Sequence, residues 1–114
     1  MRVIKFKVRK TLNFKKEYRE AILSGRKTCT IRLKTNLKVG DEAYLVVGGE
    51  KLGVIRITAV NRKRIAELTN RDARRDGFRD VKELIKALKR HYKKIRLTTM
   101  VSIIHFRFIR DPGQ

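Results

Sequence analysis

Several residue types are scarce in this 114-residue chain, and each scarcity excludes something. One cysteine, Cys29, has no partner for an internal disulfide and fits a reducing, cytoplasmic setting. That cysteine and two histidines are too few for a zinc site of the usual ligand spacing, so no metal and no other cofactor is expected. The single proline, Pro112, sits in the tail RDPGQ, and no Gly-, Ser- or Pro-rich linker interrupts the rest. One domain over residues 1–110 with a tail at 111–114 is expected. No apolar run approaches the roughly 18–20 residues that cross a bilayer. The N-terminus MRVIKFKVRK lacks the apolar segment of a signal peptide, so neither a leader nor a membrane partner is expected. VGGEKLG lacks the Gly-Lys-Ser/Thr ending of a phosphate loop, and no Ser-His-Asp order supports a hydrolase triad. Tryptophan is absent, and the five Phe and three Tyr mostly take core-facing positions, which argues against an open aromatic platform for bases.

Acids are scarce too. Eleven Asp and Glu face 31 Lys and Arg, a formal net charge of +20. Charge of that size repels itself, and a polyanion relieves it while releasing condensed counterions. The composition therefore points to RNA, DNA or a nucleotide as partner. An anionic membrane fits less well, because the basic residues do not flank a lipid-seeking apolar face.

What is present orders into short periodic segments. VIKFKV (3–8) alternates Ile4, Phe6 and Val8 against Lys5 and Lys7, a half-buried strand. Asn13 is placed to cap a helix over 14–24 whose face is Phe14, Tyr18, Ala21 and Ile22, with Gly25 ending it. Cys29, Ile31 and Leu33 then alternate with Thr28, Thr30 and Arg32, a strand pattern. LKVGDEAYLVV reads as a turn at Val39-Gly40-Asp41 and then a strand, Gly48-Gly49 as a hairpin turn, and KLGVIRITAV (51–60) as another strand. Thr69/Asp72 and Asp80/Glu83 have capping-box spacing for a short helix ended by Gly77 and a longer one through about Tyr92. The longer helix buries Val81, Leu84, Ile85 and Leu88. TTMVSIIHFRFI (98–109) is apolar on both faces, as in a central strand. The order β-α-β-β-β-α-α-β predicts an α+β fold: a small barrel-like sheet of five or six strands with two or three flanking helices. His105, in mid-strand, reads as a core or rim histidine. His91, at a helix C-terminus, is where a positive ring suits the dipole.

One stretch stands out, SGRKTCTIRLK (24–34). Thr28, Thr30 and Arg32 share a strand face, hydroxyls beside a five-donor fork that holds phosphate, carboxylate or a base edge, which makes the three a pocket candidate. The alternative is a plain polar strand face whose threonines serve β-propensity. Lys27 lies three residues before Thr30, so in a regular strand the two would oppose each other. Lys27 must then sit in a bend after Gly25, before regular pleating begins. Cys29 shares the apolar face and makes a poor nucleophile.

Gly25-x-Lys27-x-x-Thr30-x-Arg32, followed by Gly40-Asp41 and the later DARRDGFRDVKELIKAL, resembles the ASCH domain family over roughly residues 3–108. ASCH domains are similar to PUA domains, which implies a small β-barrel flanked by helices with a cleft for RNA or a modified nucleotide. The resemblance implies ligand contacts at Gly25, Arg26, Thr28 and Arg32. One bacterial branch of the family removes acetyl from N4-acetylcytidine with a lysine, a threonine and a glutamate. Carried over by motif, these fall on Lys27 (base), Thr30 (nucleophile) and Asp76 (proton carrier or orienter), with Asp one methylene shorter than the Glu of that branch. Another member is a ribonuclease. The family thus implies RNA or nucleotide binding, with amide hydrolysis or RNA cleavage as alternatives. Arg26, Arg32 and the net charge are expected to make Lys27 a better base.

Overall fold

A computed structural model describes residues 10–110. The strand expected at 3–8 and the tail at 111–114 lie outside the described residues. The described order is β1 (Lys10–Phe14), a 3-10 turn (Lys16–Tyr18), α1 (Arg19–Leu23), β2 (Cys29–Arg32), β3 (Glu42–Val47), β4 (Glu50–Arg64), a second 3-10 turn (Ile65–Glu67), α2 (Asn70–Arg75), α3 (Val81–His91) and β5 (Met100–Arg110). The five strands form one curled sheet in the order β1-β3-β4-β5-β2, a half-barrel carrying three helices. Among the described residues, only the β1–β3 pairing is parallel. This is the α+β, PUA-like architecture that the segment order predicts.

Each hairpin and cap follows from local chemistry. Val47 pairs with Glu50 around Gly48 (φ 57°) and Gly49 (φ 86°), a two-residue turn with positive φ at both positions. At α2, Asp72 N–H donates to Thr69 Oγ1 at 3.1 Å and Thr69 N–H to Asp72 Oδ2 at 3.0 Å, the reciprocal cap read from the sequence. At α3 half of the expected box forms. Asp80 accepts from Glu83 N–H at 2.9 Å, but the Glu83 carboxylate takes the Arg79 N–H at 2.9 Å instead of reaching Asp80.

The helix expected over 14–24 is shorter, and it is replaced at its start. Asn13 and Phe14 end β1, in register with Val46 and Val47, and α1 proper begins only at Arg19. Apolar residues at 14, 18, 21 and 22 fit a helical stripe. Parallel pairing with β3, which no local window contains, claims the first of them. β4 runs four residues past the expected strand because its far half pairs with the start of β5.

The core sits on both faces of the sheet. On one face Leu12, Phe14, Leu45, Ile55, Ile57, Ile104 and Phe106 pack with Ile22 of α1. On the other, Cys29 and Ile31 of β2 and Val101 and Ile103 of β5 meet Leu84 and Leu88 of α3. β5 feeds both clusters because it lies between β4 and β2, which accounts for its two apolar faces. Among the described residues, no helix is long and apolar enough to cross a membrane.

Candidate functional site

The gap between the sheet edges β1 and β2 holds a cavity of about 340 Å³, inside the range of about 300–1,000 Å³ typical of small-molecule sites. Two helix ends build it. At α1, Gly25 (φ 85°) donates its N–H to Ile22 O at 3.2 Å, and the turned chain lets Lys27 N–H reach Ala21 O at 2.9 Å. At α2, Gly77 (φ 91°) donates to Arg74 O at 3.0 Å and Phe78 to Ala73 O at 2.9 Å, the paired bonds of a Schellman motif. That motif holds Asp76 as the last residue of the turn. The two segments then form a single β-bridge, Lys27 against Asp76, reinforced by Thr28 N–H to Arg75 O at 2.8 Å. Lys27 is thus in the bend before β2, as the spacing required, and it points to the same side as Thr30.

Lys27 and Asp76 form a buried ion pair, each about 4 % exposed, and Lys27 Nζ also donates to Asp76 O at 3.1 Å. The Phe14 and Tyr18 rings lie 5.4 Å and 5.2 Å from that ammonium, so it is screened from water on the aromatic side as well. Burial pushes the Asp76 carboxyl up to about 6 against the opposing pull of Lys27 and Arg32. Arg32 Nε donates to Thr30 Oγ1 at 3.0 Å, and its Nη2 donates to Asn13 O at 2.5 Å. The guanidinium so spans the open edge between β2 and β1 while leaving the Thr30 hydroxyl proton free to be given elsewhere.

The four residues Lys27, Thr30, Arg32 and Asp76 therefore line one cavity. Gly25, Arg26 and Thr28 do not line it. Gly25 serves the turn. Arg26 is exposed and lies 3.3 Å from Glu20, outside the cavity. Thr28 is exposed because it precedes the pleated part of β2. Cys29 is fully buried, packed on the helix side, and burial drives its thiol up to about 12. It is inert, as its alternation implies.

Sequence reasoning missed the aromatic wall. Phe14, Tyr18, Phe78 and Tyr92 line the cavity, although their periodicity reads as core. His91 lines it too, and its Nε2 lies 2.9 Å from the Tyr18 hydroxyl. Burial, then Lys15 and Arg90, hold His91 below its usual value. That shift opposes the positive ring that the helix end would suit. His105 is half-buried in β5 opposite Cys29, away from the cavity wall.

Gly77 tests how the site is positioned. A Cβ there would meet only ordinary contacts, 3.5 Å from Lys27 Cβ and 3.6 Å from Ala21 Cβ. Gly77→Ala is thus expected to cost the roughly 1–2 kcal/mol of a left-handed L-residue, read as a lower urea midpoint. An unchanged midpoint would mean that the turn does not set the place of Asp76.

Comparison with known proteins agrees with the architecture. The family model described as "ASCH domain" matches residues 3–110. An ASCH domain from Lactobacillus crispatus JV V101 superposes with a TM-score of 0.68 at 18% identity, covering 86% of this chain and 80% of that one. A protein from Enterococcus faecalis V583 gives 0.70 at 17%, covering 90% and 82%. A hypothetical protein gives 0.64 at 20%, covering 86% of this chain and 100% of its own. No curated protein matches the sequence. At these identities the solved structures speak to fold alone, and the family match, over nearly the whole length, supplies membership: the chain belongs to the ASCH domain family.

Proposed function

We propose that this protein takes a nucleoside-sized part of an RNA, or a modified nucleoside or nucleotide, into the cavity between β1 and β2. One observation carries the reading: a cavity walled by four aromatic rings holds two cations, the buried Lys27 and the half-buried Arg32, in a chain of net charge +20. Aromatic faces suit a base, whose π-face stacks whatever its identity. The guanidinium fork suits a base edge or a phosphate. The ASCH family is often linked to RNA binding, which agrees. Calorimetry with the four ribonucleosides, N4-acetylcytidine and their 5′-monophosphates tests the reading. At least one is expected to bind, and Arg32→Met is expected to weaken it by about 10-fold or more, the roughly 1.5–3 kcal/mol of a hydrogen bond to a charged group. Absence of binding across the panel rejects the cavity as a nucleoside site.

A second reading, amide hydrolysis on an N4-acylated cytidine, is favoured by the Lys27–Asp76 pair beside Thr30. Burial favours the uncharged form of Asp76, so moving the shared proton from Lys27 to Asp76 discharges both groups in a dry site. Lys27 then takes the Thr30 proton as the oxygen attacks the acyl carbon. Asp76 hands its proton to the departing N4 amine, which leaves the pair with one proton again. Water then attacks the acyl carbon, giving a proton to Lys27 while Asp76 returns one to the Thr30 oxygen as it leaves, and the acid is released. Arg32, already donating to Thr30 Oγ1, steadies the oxygen while it carries charge.

A further inference from the structure

Outside the cavity, α3 carries charge in an arrangement that helix stability does not require. Its core stripe is Leu84, Ala87 and Leu88. Lys82, Lys86 and Arg90 recur at every fourth residue, all three are exposed, and none is ion-paired among the described residues. Glu83, the one acid of the helix, is taken by Arg79. Like charges four apart repel, and Lys82 lies in the first turn, where the helix dipole disfavours a cation. A merely solvated face would interleave acids.

The row also has a direction. At 3.6 residues per turn each fourth residue advances by roughly 40°, so the three cations wind around the helix as they climb ~12 Å. The last of them, Arg90, stands in the cavity wall with His91 and Tyr92, and Lys15 lines the same wall from the turn after β1. A charged track thus begins at the mouth of the cavity and leads away from it.

We infer that the ligand reaches the cavity as one residue of a single-stranded nucleic acid whose phosphates lie along Arg90, Lys86 and Lys82. This rests on the nucleoside reading and adds a path to it. Charge complementarity selects a polyanion, and the narrow cavity beside the track selects a strand whose bases are unpaired and can be splayed outward.

The test is fluorescence anisotropy of a labelled 12-nucleotide RNA across a salt series. Lys82→Gln/Lys86→Gln is compared with Lys38→Gln/Arg107→Gln, which removes equal charge from exposed positions off the track. Thermal melts check that both are folded. The α3 variant is expected to bind the RNA at least 10-fold more weakly at 50 mM salt, with a log–log salt slope shallower by about 1.4, two lost phosphate contacts at ~0.7 each. The control is expected within 3-fold of the parent. Binding of the mononucleoside that the parent accepts is expected to be unchanged in the α3 variant, because neither lysine lines the cavity. Equal loss in both variants, tighter binding of the matching duplex, or retention on phosphatidylserine vesicles but not on RNA would overturn the inference. If a nucleoside binds but the 12-mer binds no more tightly, the track alone fails. If no nucleoside binds, the cavity reading fails first.

Discussion

Asp76→Ala is expected to destabilise the protein by about 3–5 kcal/mol, because it leaves a buried ammonium without its counter-ion. Lys27 is about 4 % exposed, and its remaining acceptor would be the main-chain carbonyl of residue 76. For a domain whose whole stability is of order 5–15 kcal/mol, that loss shows as a large fall in urea midpoint, or as failure to fold. Lys27→Met/Asp76→Leu keeps the test alive in the second case. Removing both charges for apolar groups of similar volume is commonly neutral or stabilising, so the double variant is expected to be more stable than either single change. A loss under about 1 kcal/mol for Asp76→Ala, typical of an exposed pair, would place the two groups in water.

The same pair sets a pH dependence of defined sign. The carboxyl is raised from 3.8 to about 6 on folding, so the folded state holds this proton more tightly than the unfolded one. Its contribution is most favourable below about pH 4, falls as pH rises through about 6, and is constant above that. Asp41 and Asp72 are shifted down instead, and their contribution is lost as pH falls. A carbon-13 titration of the Asp76 carboxyl, with a midpoint near 6 rather than near 4, separates its behaviour from theirs.

The second large effect is on chemistry. If the amidohydrolase reading holds, the protein releases cytidine and acetate from N4-acetylcytidine, and Thr30→Ala lowers the rate by about 10³-fold or more, as loss of a nucleophile does. Thr30→Ser should retain most of the rate, since it keeps the oxygen. The active pair carries one proton between Lys27 and Asp76. A second proton, held with the raised affinity of Asp76, blocks it, so activity is expected to rise with pH through about 6. Chromatography of the reaction decides. Turnover by Thr30→Ala equal to the parent would dismiss the mechanism, while nucleoside retention without turnover would leave the binding reading standing alone.

The site was half legible before any coordinates. The Gly25 turn, the alternation that puts Thr30 and Arg32 opposite Cys29 and Ile31, and the need to seat Lys27 in a bend all follow from local geometry. So does Gly77, which ends α2 with a positive φ. The cavity's aromatic wall was not legible, because Phe14 and Tyr18 have core periodicity and their second role depends on what stands opposite them. Tyr18 meets His91, 73 positions away. The downward shift of His91 was not legible for the same reason: the burial that lowers it, with Lys15 and Arg90 beside it, exists only in the folded chain.

The sequence by itself determined the segment order, the positive-φ turns, the two-faced last strand and the excess of positive charge, since each depends on neighbours within a few positions or on composition. Tertiary structure alone decided that residues 13 and 14 extend against β3 rather than coil into α1. It also decided that Lys27 and Asp76, 49 positions apart, form a buried ion pair. The reason is physical. Helix and turn preferences are set by local sterics and hydrogen bonds, whereas strand partners and buried charge pairs are chosen by which distant surfaces exclude water from each other.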